Sequence, residues 1–167
     1  MRLRSALLTA IWASTTLLLA WHAHADVSLG DSGEIGGAAL SLGVAHPTGF
    51  PLDMLLLRAF GLLPIGSLAW RENLGVASIG AAAVTGIAAL TFRLAERVRF
   101  SSASATIGAL FAASGLIAFQ TFLESALSVE VYSTALLLVI LAALISLDRR
   151  RASAIYPVFG LSLGAHV

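Results

Sequence analysis

Residues 30–53 read GDSGEIGGAALSLGVAHPTGFPLD, and the rest of the chain is organised around them. Asp31, Glu34, His46 and Asp53 stand here with two prolines and a run of glycines, between regions that are almost uniformly apolar. Polar groups and turn formers at that density mark a shaped extramembrane loop rather than a linker. Function has to be argued from this stretch.

On either side the composition is that of an integral membrane protein. The 167 residues are 58% hydrophobic and 11% charged, and the mean hydropathy is +0.92. A bilayer-spanning helix takes roughly 20 apolar residues, so the chain has room for about five spans with short connections. The expected fold is an all-α, polytopic transmembrane helix bundle with a long first extracytoplasmic loop that carries short interfacial helices. Cysteine is absent, which excludes disulfides and thiolate metal sites. The net charge of +1, with no lysine and no basic patch interleaved with aromatics, excludes a nucleic-acid partner.

Upstream of the loop, Arg2 and Arg4 precede SALLTAIWASTTLLLAW, and Ala23 and Ala25 fit a small-residue cleavage pattern. Residues 6–25 are therefore either a retained first span or a cleaved secretory signal, and both readings put Asp26 onward on the far side of the membrane. The loop extends over 26–70. Within it, residues 52–70 are apolar but interrupted by Arg58, Gly61 and Pro64, which predicts an interfacial or partly re-entrant helix. Further spans are expected at 73–92, 102–122 and 131–147, with Glu124 and Glu130 in the turn between the last two. A final run at 154–167 stops without a cap, which predicts that 1–167 is the N-terminal part of a single longer membrane domain.

Charge tests this arrangement independently. Eight of the ten arginines (2, 4, 93, 97, 99, 149, 150, 151) fall on one side, and seven of the nine carboxylates (26, 31, 34, 53, 72, 124, 130) on the other. Arginine excess marks the cytoplasmic face, so the N-terminus is expected inside. The stripes Ser78, Ala82, Gly86 and Ser104, Gly108, Ala112 predict close helix packing rather than chemistry.

Among the polar residues, Asp31 and Glu34 share one face of a helix that starts here. One reading makes them a capping box, with Gly43 as the C-cap. The other makes one of them a general base at the membrane surface or part of a metal site. His46-Pro47-Thr48-Gly49-Phe50-Pro51 predicts a rigid turn, with proline fixing φ twice and Gly49 at positive φ. A histidine held this way can bind a phosphate oxygen or shuttle a proton, or simply bond the turn's own carbonyls. Arg58 and Arg71 oppose the charge bias, which predicts contact with a lipid phosphate or a loop carboxylate. Glu130 either favours its helix N-terminus or reaches the site, and His166 is an ionisable group in an apolar run.

The succession Asp31-Ser32-Gly33-Glu34, Gly43 to Leu52 (GVAHPTGFPL), Arg71-Glu72-Asn73-Leu74, Glu130-Val131-Tyr132 and Gly160 to His166 (GLSLGAH) resembles a family long catalogued as a domain of unknown function. Its members are polytopic and include a vertebrate transmembrane O-mannosyltransferase, and they are similar to GT-C glycosyltransferases. The resemblance implies transfer of a sugar from a polyprenyl-phosphate-linked donor to an extracytoplasmic protein or glycan acceptor. By the same analogy Asp31 is the catalytic carboxylate with Glu34 second, and His46, Arg58, Arg71, Glu130 and His166 bind substrate. The adjacent acidic pair usual in such loops is missing. A divalent metal is compatible with the residues but not required by them, and a bacterial inner membrane is the expected location. A transporter or a non-catalytic structural membrane protein is the alternative, although ion coupling needs ionisable groups that 73–92, 102–122 and 131–147 lack.

Overall fold

The structure, a computed structural model, describes residues 2–47, 49–148 and 153–165. Thr48, Arg149 to Ala152 and His166 lie outside the described residues, and with them the expected basic cluster at 149–151. Among the described residues there are helices and no strand: α1 (Arg2–His22), α2 (Ser32–Ser41), α3 (Pro51–Gly61), α4 (Leu68–Arg97), α5 (Ser102–Ala118), α6 (Gln120–Leu127), α7 (Tyr132–Ser146) and α8 (Ile155–Ser162).

α4 is the axis of the bundle, and α1, α5 and α7 pack around it. At 30 residues it runs about 45 Å, more than a bilayer's hydrocarbon core requires. Its buried face repeats Ala77, Ala81, Val84, Ala88 and Phe92, and α5 offers Ala105, Ala109 and Ala113. Alanine at these spacings lets helix backbones approach closely. The expected small-residue stripes lie on the flanks of this seam: Ser104 is exposed, and Ser78, Ala82, Gly108 and Ala112 are half-buried. Gly86 instead serves α7, where an added Cβ would sit 2.7 Å from Ile140.

α1 adds Ile11 and the fully buried Leu19 to the same core. Its exit is tied to the start of α4. Asn73 Nδ2 donates to the carbonyls of His24 (2.7 Å) and Asp26 (3.4 Å), and Ser67 Oγ donates to that of Ala25 (2.8 Å).

Two helices, Leu3–His22 and Leu68–Arg97, are long and apolar enough to cross a membrane, and the pair α5 and α6 makes a third if counted as one bent span. The span expected as continuous over 102–122 breaks at Phe119, where the chain is extended and turns by 70°. α6 is amphipathic, and lying across the bundle lets it bury Phe122 and Ala126 while Gln120 donates to Glu124 at 2.8 Å on the exposed side. Glu124 therefore sits on a helix, not in a turn. α7 is apolar but has 15 residues.

The single helix expected over 52–70 is also divided. α3 stops at Gly61, because Pro64 cannot continue it and Gly66 adopts φ +59°. Ser67 then caps α4, its Oγ accepting the Trp70 N–H at 3.1 Å, so Trp70 belongs to the long helix.

The loop folds as a cap with its own apolar cluster. Ile35 and Ala39 of α2, Ala45, Phe50, and Met54 and Leu57 of α3 pack on Val76 of α4 and on Val129 and Val131 before α7. Gly75 lets α3 lie on α4, since a Cβ there would stand 2.8 Å from the Phe60 ring. Gly75→Leu is expected to cost about 1–3 kcal/mol through overpacking, read as a lowered Tm in detergent. Adding Phe60→Ala to that variant should restore part of the loss, and no recovery would show that the contact is not the cause.

The bundle therefore has two chemically distinct ends. At one, Arg4 pairs with Glu96 and lies over the Phe92 ring (5.2 Å), while Arg97 donates to the Leu147 carbonyl at 2.7 Å. At the other lie α2, α3, the start of α4 and the α6–α7 connection, which together carry Asp31, Glu34, Asp53, Glu72 and Glu130.

Candidate functional site

His46 is the centre of the acidic end. Its backbone N–H donates to Glu34 Oε1 at 2.6 Å, and its Nδ1 lies 3.3 Å from Glu34 Oε2. On the opposite edge of the ring, Nε2 is 3.9 Å from Asp31 Oδ2. Local chemistry explains the placement. The His46 carbonyl accepts the Gly49 N–H at 2.8 Å, closing the expected turn with Gly49 at φ +85°. Phe50 is also left-handed (φ 43°), a conformation disfavoured for a residue with a Cβ. Its ring is buried and meets the imidazole edge to face at 5.2 Å, so packing holds what the backbone resists. Pro51 then opens α3.

The capping-box reading does not hold. Asp31 occupies the position before α2 but has helical φ and ψ, and its side chain makes no capping bond. Glu34 is engaged with His46, twelve residues away, instead of reaching back to Asp31. The left-handed residue at the helix end is Leu42 (φ 52°), not Gly43, whose N–H bonds the Ala38 carbonyl at 2.8 Å.

Glu130 joins the cluster from the other side of the cap, held by its buried neighbours Val129 and Val131. Burial pushes its carboxyl above the ordinary range, the Asp31 carboxylate adds to the rise, and His46 opposes it. The site thus contains a carboxylate with few commitments (Asp31), one bound to the histidine (Glu34), and one that tends to keep its proton (Glu130). Asp31, Glu34 and His46 can each offer one ligand atom within 4.8 Å of the others, a nitrogen and oxygen set compatible with a divalent metal.

Arg58 and Arg71 lie elsewhere. Arg58 Nη1 donates to the Leu40 carbonyl at the end of α2 (2.7 Å), while Arg71 donates to the carbonyls of Ser67 (3.2 Å, from Nε) and Leu63. Among the described residues, the salt bridges at this end are all made by His46. Arg58 ties α3 to α2 within the cap, and Arg71 ties the chain after α3 to the start of α4. His166 lies outside the described residues.

Two acidic residues that the sequence reading left out of the candidate site are buried here. Asp53, in the first turn of α3, is 3% exposed and bonded to Thr134 of α7. Burial pushes its carboxyl up to about 7, against the lowering effect of Thr134 and of its backbone hydrogen bond. Glu72, in α4, is 4% exposed. Asp53 is an acid inside an apolar stretch, which was an available signal, whereas Glu72 stands between Arg71 and Asn73 and gave none.

An all-helical membrane protein with a histidine held between two carboxylates at one end is the class these observations define. Residues 31–167 match the family model described as the Protein O-mannosyl-transferase TMEM260 N-terminal domain, and the chain belongs to that family. It is 41% identical over 86 residues to the mouse protein O-mannosyl-transferase TMEM260, a stretch that takes in 51% of this chain and 12% of the mouse protein. The chain thus covers only a small part of that relative's length. No solved structure matches it. The relative is murine and lends no support to a bacterial inner membrane.

Proposed function

We propose that this chain is the N-terminal part of a GT-C-like membrane glycosyltransferase that moves a sugar, as an O-mannosyltransferase does, from a polyprenyl-phosphate-linked donor to an extracytoplasmic acceptor hydroxyl. The observation that carries this reading is the Asp31, Glu34 and His46 constellation at the acidic end of the bundle. In this reading the acidic end faces away from the cytoplasm and the arginine-rich end faces it, in line with the charge bias.

Asp31 takes the proton of the acceptor hydroxyl as its oxygen attacks the anomeric carbon. The bond from that carbon to the phosphate oxygen breaks, and the phosphate leaves with the electron pair. His46, set by Glu34, is the group available to stabilise the departing phosphate, since both arginines of this end are engaged with carbonyls. A metal held by Asp31, Glu34 and His46 would serve the same phosphate charge.

The test uses the full-length protein in nanodiscs with an acceptor polypeptide. Transfer is expected from polyprenyl phosphomannose and not from a nucleotide-linked mannose. Transfer from the nucleotide sugar would remove the lipid donor, and transfer from neither would favour the structural or transport alternative.

A further inference from the structure

At the arginine-rich end, α1 and α7 both pack on α4 and leave a groove between them with α4 as its floor. It measures about 670 Å³, room for roughly 20 waters and far more than an ion or a free phosphate fills. Its inner lining is aliphatic: Leu8 of α1, Ala89 of α4, and Leu141, Leu144 and Ile145 of α7. Each of these is half-buried or exposed, so their side chains stay open to a ligand.

The charged groups stand at the mouth, where Arg4, Arg93, Glu96 and Asp148 line the groove. Ala89 precedes Glu96 by two turns of α4, so the aliphatic floor begins about 10 Å further into the bundle. A charged mouth over an aliphatic floor has the polarity gradient of a phospholipid, with the headgroup outward and an acyl chain lying inward. The arginine-rich end is also the level at which the headgroups of the cytoplasmic leaflet stand.

The charges select the headgroup. Arg93 is 62% exposed, and its contact with Glu96, at 4.0 Å, is too long for a hydrogen bond. Its guanidinium can therefore fork onto a phosphate, whereas those of Arg58, Arg71 and Arg97 are committed to carbonyls. Two arginines at the mouth are matched by two carboxylates, so the lining carries no net charge and suits a zwitterion better than an anionic lipid. Glu96 is itself half-exposed and can accept from an ammonium. A primary ammonium donates hydrogen bonds to a carboxylate and a quaternary one does not. The ring that could have held a choline, Phe92, is buried and already covered by Arg4.

We propose that the groove between α1 and α7 binds a phosphatidylethanolamine of the cytoplasmic leaflet, with its phosphate on Arg93, its ammonium on Glu96 and one acyl chain against Leu8, Leu141 and Leu144. The inference does not rest on the transferase reading, and its test reads bound lipid rather than sugar transfer.

Native mass spectrometry of the full-length protein, released from nanodiscs of phosphatidylethanolamine, phosphatidylcholine and phosphatidylglycerol in equal parts, tests it. The parent is expected to retain phosphatidylethanolamine about tenfold over either of the other lipids, and Arg93→Gln to lower that retention by about tenfold, the worth of one charge-assisted contact. Leu141→Trp, which fills the groove from an exposed wall position, should abolish it. Arg99→Gln removes a charge from the same end but outside the groove, and should behave as the parent. Glu96→Gln should still retain lipid while losing the preference for phosphatidylethanolamine over phosphatidylglycerol. A photo-crosslinking residue introduced at Leu144 should capture lipid. Equal retention of the three lipids, unchanged retention in both Arg93→Gln and Leu141→Trp, or a loss in Arg99→Gln as large as in Arg93→Gln would overturn the proposal. So would capture of another segment of the protein from Leu144, which would show that a helix and not a lipid fills the groove.

Discussion

Asp31→Asn in the full-length protein is expected to lower sugar transfer by about 10²- to 10⁴-fold, the usual worth of a positioned general base, with insertion and thermal stability unchanged. The structure makes this substitution clean. The Asp31 side chain forms no capping bond, so asparagine takes nothing from the start of α2. Glu34 should respond differently, because its two oxygens hold the backbone N–H and the ring of His46. Glu34→Gln keeps an acceptor for the N–H but loses the charge facing the imidazole, so it should cost less in kcat than Asp31→Asn does. Measuring kcat and KM for both variants separates the roles. Near-normal kcat in Asp31→Asn together with loss in Glu34→Gln would reverse them, and full activity in both would remove this cluster from the chemistry.

Asp53→Asn is expected to raise the Tm at pH 8 and to leave it nearly unchanged at pH 4. Burial holds the Asp53 carboxyl neutral in the folded protein up to about pH 7, whereas in the unfolded chain it ionises near its ordinary value of 3.8. Between these values the unfolded state gives up its proton and the folded state does not. Stability from this group is therefore fully present below about pH 4 and is lost as pH rises to about 7, after which the deficit is constant. A shift of this size corresponds to about 4 kcal/mol at pH 8. Asparagine does not titrate and can keep a bond to Thr134, so the gap between variant and parent should open between pH 4 and 7 in detergent melting curves. A gap independent of pH would mean that Asp53 ionises normally in the fold.

Sequence and structure agree where the causes are local. The turn at His46 to Pro51 is legible because proline and glycine restrict φ and ψ within a few residues, and Gly49 adopts the positive φ that the motif predicts. The helical character of 73–92 and 131–147 is legible because unbroken apolar runs leave the backbone no partners but its own. The break at Phe119 was hidden, since no proline or polar pair marks it and its cause is the packing of Phe122 and Ala126 against the bundle. The division of 52–70 could have been taken from Pro64, Gly66 and Ser67, but the apolar composition outweighed these signals.

For the candidate site, the sequence alone determined the class of protein, the segregation of arginine from carboxylate, and Asp31, Glu34 and His46 as the residues to watch, because hydropathy, charge and turn chemistry are properties of short segments. Only the tertiary structure decided what each of them contacts. The pairing of Glu34 with His46 spans twelve residues, and Glu130 reaches the cluster from nearly a hundred residues away along the chain. Arg58 and Arg71 have their guanidiniums taken up by helix-end carbonyls. Asp53 and Glu72 become buried acids when α3 and α2 close over α4. Spacing along the chain carries none of this, since partner choice and desolvation depend on which surfaces meet when the cap folds onto the bundle.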